Sequence, residues 1–134
     1  MTRAYDARVV ALTVGQPLKW VDNLLSHHNV PGITRSRQGV QRQVSDLGLM
    51  AVELTRILTQ DLGLSVARAA DLARTALATR SGPDVRLSPS IGVTLVFHLS
   101  EIETRLRERV IEAVESVARI RRGRPYKTPA GAVY

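Results

Sequence analysis

Twelve residues in the first third of the chain, Ile33-Thr34-Arg35-Ser36-Arg37-Gln38-Gly39-Val40-Gln41-Arg42-Gln43-Val44, carry three arginines, three glutamines and no acid. No core accepts such a stretch, because unpaired guanidinium groups would lose their hydration there. It reads as an exposed β-hairpin: strand Ile33–Arg35, a turn around Arg37-Gln38-Gly39, strand Val40–Val44. Gly39 supplies the positive φ that a tight turn needs. A hairpin of this composition is either simply solvated or a wing that grips phosphates, with Arg35, Arg37 and Arg42 on phosphate oxygens and Gln38 and Gln41 beside them.

What precedes the hairpin favours the wing. Tyr5 to Thr13 reads as a short helix ended by Gly15, and Pro17 suits the first turn of a second helix running to His28. In that second helix Leu18, Val21, Leu24, Leu25 and His28 share one side, and Gln16, Lys19, Asn23 and His27 the other. Two short helices joined by a tight turn read as a helix-turn-helix, the second helix presenting its polar side chains outward. Lys19 and Asn23 then suit base edges in a major groove, Lys for guanine and Asn for adenine, with Gln16 alongside. Trp20 sits between the two faces, either in the core or against a sugar–phosphate backbone.

After the hairpin, Ser45 can cap a helix from Asp46 to Leu62 with Leu47, Met50, Leu54, Ile57 and Leu58 on its apolar face, stopped by Gly63. Ser65 can cap another from Val66 to Thr79, with Val66, Ala69, Ala70, Ala73 and Leu77 inward. Arg80 to Asp84 is a linker. Val85–Leu87 and Ile91–Phe97 read as strands about a Ser88-Pro89-Ser90 turn, and Ser100 can cap a long helix to Ile120. There Leu99, Ile102, Leu106, Val110, Ala113 and Val117 recur at three- and four-residue steps, near the spacing of a coiled-coil seam. Two arrangements satisfy that pattern: a dimer seam between two chains, or a helix docked on its own domain.

The tail, Arg121-Arg122-Gly123-Arg124-Pro125-Tyr126-Lys127, is basic and contains helix breakers. Arg122-Gly123-Arg124-Pro125 resembles the AT-hook, which lies along the minor groove of A·T-rich DNA. Gly123 lets the backbone approach the groove floor, Arg122 and Arg124 point along it, Pro125 keeps the segment extended, and Arg121 and Lys127 add cations. The alternative is a solvated basic tail.

The order helix, helix, basic hairpin, helix, Leu62-Gly63-Leu64-Ser65 turn, helix resembles the winged helix-turn-helix domain of the MerR superfamily over about residues 5–79. The matching pieces are Val30-Pro31-Gly32-Ile33, Arg37-Gln38-Gly39-Val40-Gln41-Arg42 and Asp61-Leu62-Gly63-Leu64-Ser65. The chain departs from the family pattern in its recognition helix, where Lys19, Trp20 and Asn23 replace the usual aromatic and Arg-rich run, and in having no sensory cysteine. The resemblance implies a mainly α fold with small β-hairpins and a homodimeric transcriptional regulator of double-stranded DNA. The expected layout is a DNA-binding domain over 1–80, a hairpin and long dimerisation helix over 81–120, and a flexible basic tail over 121–134.

Charge points the same way. Net charge is +7, with a pI near 11.0, which favours a polyanionic partner. Aromatic residues make up only 4%, which argues against base-stacking platforms for single-stranded RNA. His27 and His28 are adjacent on a helix and diverge, cysteine is absent, and no HExxH, phosphate loop or nucleophile signature occurs. The sequence therefore predicts no enzyme, no metal and no cofactor. It carries no apolar run of membrane-spanning length and no secretory h-region, and the expected location is the bacterial cytoplasm, at the nucleoid. An architectural or recombination accessory protein, and a scaffold built on the long helix, are the alternatives.

Overall fold

The structure, a computed structural model, describes residues 3–34 and 42–122. Among these the chain is mainly helical, with two small antiparallel sheets. Strand β1 (Ala4–Tyr5), whose Tyr5 was expected to open a helix, pairs with β3 (Gln43–Ser45), and β3 pairs in turn with β2 (Ile33–Thr34). The expected hairpin is therefore present at its base, with Ile33 opposite Val44, and its turn lies outside the described residues.

Helix α1 (Ala7–Val14) begins two residues later than expected because Asp6 is its cap: its carboxylate accepts the Val9 N–H at 2.9 Å. Helix α2 (Leu18–His27) follows Pro17 and buries Val21, Leu24 and Leu25, as the pattern predicts. Leu18, assigned to the same face, is exposed; it opens the helix, ahead of the stretch that packs on α1.

Helix α3 (Asp46–Arg56) is capped by Ser45 and is buried from Gly48 through Thr55, on every side rather than along one stripe. Leu47 falls before that enclosed stretch and is exposed, and Ile57 is half-buried; both were expected inward. The continuation is not α-helical. Ile57–Asp61 forms a π-turn, in which the Leu62 N–H reaches the Ile57 carbonyl at 3.3 Å. Tyr5 donates its hydroxyl to Asp46 at 2.9 Å, tying β1 to the first turn of α3. Burial pushes the Tyr5 phenol above its ordinary value, and Asp46 adds to the rise.

The turn before the hairpin is set by two glycines. Gly32 has φ +78, and a Cβ there would meet the Ser45 hydroxyl and the backbone N of Gly48 at 2.5 Å. A Cβ on Gly48 would in turn meet the Gly32 carbonyl at 3.0 Å. The backbones of the Pro31–Gly32 turn and of α3 thus touch directly, and the Ser45 N–H donates to the Gly32 carbonyl at 2.9 Å. This contact determines where the hairpin leaves the body.

Helix α4 (Val66–Ala78), capped by Ser65, packs on α3 through Ala69, Ala70, Ala73 and Ala76, whose small side chains allow close approach, with Leu72 beside them. Val66 and Leu77 are only half-buried. Strands β4 (Asp84–Ser90) and β5 (Val93–His98) form the second hairpin, with Val85 opposite Phe97. Its turn is at Ile91-Gly92 and not at Ser88-Pro89-Ser90; the strand carries Pro89 within a register irregularity between Leu87 and Ser90.

Helix α5 (Leu99–Arg122) starts one residue before Ser100, which therefore lies inside the helix and donates its N–H to the Pro83 carbonyl. It packs against α1 and, less extensively, α3. Leu99, Leu106, Val110, Ala113 and Val117 are buried there and Ile102 is half-buried. The seam assigned to a second chain is thus covered by this chain's own α1 and α3. One hydrophobic cluster runs from Tyr5 to Val117 and crosses the boundary expected near residue 80.

A carboxylate lies inside this arrangement. Glu53, 4% exposed, accepts from Arg56 at 2.8 and 3.1 Å and from Arg109 of α5 at 3.4 Å. The hydrogen bonds to Glu53 hold the Arg56 guanidinium above its ordinary range. Replacing Arg56 by Met leaves a buried carboxylate with a poorer partner set, and the expected cost is about 2–4 kcal/mol. Urea unfolding should show a lower midpoint at unchanged slope, and Glu53→Met in the Arg56→Met background should recover part of the loss. A drop within about 0.5 kcal/mol, the range of ordinary surface substitutions, would show the carboxylate to be solvated instead.

Candidate nucleic-acid interface

Helix α2 buries one face and leaves a polar stripe outside. Lys19, Asn23, Ser26 and His27 are exposed, and their spacing places them along one side of the helix. None of the four is buried by packing, so the fold leaves the stripe open to a partner. Trp20 is half-buried and packs against the hydrophobic cluster, the core alternative of the sequence reading. Gln16 lies half-buried in the α1–α2 connection.

The base of the basic hairpin stands beside this stripe. Arg42, half-buried just before β3, donates to the Ser26 hydroxyl at 3.0 Å. Ser26 was not among the residues singled out from sequence, where an exposed serine late in a helix carries no signal of its own. The bond holds one guanidinium of the wing against the second half of α2. Four other assigned residues, Arg35, Arg37, Gln38 and Gln41, lie outside the described residues. On the other flank Arg74 of α4 donates to the Asn29 carbonyl at 3.3 Å and to Asp71 at 2.9 Å, tying the loop after α2 to α4.

Arg121 and Arg122, expected in the tail, belong to the last turn of α5. Gly123, Arg124, Pro125 and Lys127 lie outside the described residues. Of the remaining assigned residues, on α5, Leu99, Leu106, Val110, Ala113 and Val117 are in the core and Ile102 packs half-buried against it.

Other chemistry is sparse. Among the described residues no group of three or more His, Asp or Glu stands close enough to hold a metal ion. No helix among them is long and apolar enough to cross a membrane. A cleft of about 390 Å³ between β1, α3 and α5 has Leu49, Met50, Leu106 and Val110 in its wall and Arg3 and Arg107 at its exposed margin. Compared with known proteins, the chain matches no family model, no curated protein and no solved structure.

Proposed function

We propose that the protein binds duplex DNA as a winged helix-turn-helix regulator of MerR-like type. In this reading α2 enters the major groove, Lys19 and Asn23 meet base edges, and the basic hairpin follows the adjoining backbone. The observation that carries it is the Arg42–Ser26 hydrogen bond, which couples an acid-free hairpin to the exposed polar stripe of α2. Net charge of +7 supplies the sequence-independent part of the attraction. The tail from Gly123 to Lys127 adds a contact in the minor groove of flanking A·T tracts.

The test starts from sites selected out of random duplexes by the protein itself. On a selected site and on random DNA, Arg42→Ala should weaken binding alike and flatten the salt slope by roughly one unit, as for one lost phosphate contact. Asn23→Ala should instead narrow the gap between the two by about 1–3 kcal/mol. Unchanged salt dependence for Arg42→Ala, together with equal losses on both DNAs for Asn23→Ala, would remove α2 and the hairpin from any DNA interface.

A further inference from the structure

The two edges of the β4–β5 sheet differ. β4 is the inner strand: it packs against α4 and α5, carries Pro89, and is held by Arg68, which donates to the Pro89 carbonyl at 3.2 Å. β5 is the outer strand. Val93, Thr94, Val96 and His98 along it are exposed, Val93 and Val96 by 47% and 43%, and Ile91 at the tip is fully exposed. Residues 91–97 contain no charged side chain and no proline. Among the described residues no further strand pairs with β5. Sheet edges are ordinarily guarded by Lys, Pro, inward charges or a covering element. Among the described residues β4 has such protection, and β5 has none.

We propose that the outer edge of β5 receives a second copy of this chain, strand against strand and antiparallel, to make a four-stranded sheet. Symmetry and charge select the occupant. The N–H and C=O groups of an antiparallel edge are complementary to their own copy under a two-fold axis, so the contact closes at two chains. The chain as a whole carries +7, which opposes self-association on its basic faces, whereas β5 brings two uncharged strips together. Val96 and Thr94 of each copy then gain cross-strand neighbours on the exposed face, and Val93, whose side chain points to the other face, gains one there. A strand of six residues spans about 20 Å. Pairing along it buries less than the roughly 1,600 Å² of a standard interface, so the dimer forms in the micromolar range and responds to concentration. The inference stands independently of DNA binding.

The chain contains no cysteine, so one introduced thiol reports on one contact. Sedimentation equilibrium of the unmodified protein should show monomer giving way to dimer over roughly 1–300 µM, the range that brackets a micromolar Kd. Only the residue at the two-fold axis faces its own copy, so under mild oxidation at the upper concentration whichever of Thr94→Cys and Val96→Cys lies nearer that axis should form covalent dimers at least about tenfold faster than Ile111→Cys, an exposed position on α5, because paired strands hold opposed Cβ atoms about 5 Å apart. Val96→Lys brings like charges together across the axis and should remain folded and monomeric throughout; Thr94→Lys serves the same purpose should Val96→Lys fail to fold. A protein monomeric over the whole range overturns the inference. So does fastest cross-linking at Ile111, which would locate the contact on α5, or dimerisation of the folded lysine variant with unchanged Kd.

Discussion

Leu106→Asp is expected to unfold most of the protein rather than release a folded monomer. Leu106 is 3% exposed and belongs to the face that α5 turns toward α1 and α3, with Val110, Ala113 and Val117 on the turns that follow. Removing the leucine costs about 2–5 kcal/mol on its own. Burying an unpaired carboxylate adds several kcal/mol more. The sum is comparable with the whole stability of a domain this size, about 5–15 kcal/mol. Far-ultraviolet circular dichroism should show loss of helix at 25 °C. Ile111→Asp, on the same helix but 54% exposed, should stay folded, since it buries no carboxylate and the helix-propensity losses of the two substitutions differ by less than about 0.7 kcal/mol. A folded, monomeric Leu106→Asp would return this face of α5 to a seam between chains.

Gly32→Ala should be the most damaging single-methyl change in the first half of the chain. Its φ of +78 strains any L side chain, at a cost of about 1–2 kcal/mol. The added Cβ also strikes backbone, the N of Gly48 at 2.5 Å and its Cα at 2.9 Å, where no rotamer change gives relief. Overpacking of this kind costs about 1–3 kcal/mol, for a total of about 2–5 kcal/mol. Gly63→Ala isolates the first contribution, since Gly63 has φ +75 and a Cβ there meets nothing within 4 Å. The measurement is a pair of urea titrations, in which Gly32→Ala should lose at least about twice as much as Gly63→Ala. Equal losses would mean that the turn and α3 separate without cost. Because the Gly32–Gly48 contact also sets the exit of the hairpin, any surviving folded fraction of Gly32→Ala should bind DNA with a reduced salt slope, on the reading proposed above.

The features legible in the sequence are those decided within a few residues. Ser45 and Ser65 cap α3 and α4 as expected, because a capping hydroxyl needs only the N–H three residues ahead. The pairing of β2 with β3 was legible because apolar Ile33 and Val44 bracket a run that cannot be buried. Asp6 shows the limit of such reading: the same short reach makes it a cap, but only the pairing of β1 with β3 excludes Tyr5 from the helix. The turn of the second hairpin was misread because Pro89 signals a turn locally, whereas the ladder between β4 and β5 continues past it with an irregularity.

Apolar spacing along residues 99–117 located a helix and its buried face, since both follow from a period near 3.6 residues. The same spacing is silent on what covers that face, because α1 and a second chain would ask for identical residues. Tertiary structure decided it by bringing α1, some ninety residues earlier in the chain, against α5. It likewise enclosed α3 on all sides, joined Arg42 to Ser26, and set Gly32 on Gly48. These contacts depend on distances between segments, which local periodicity and propensity do not encode.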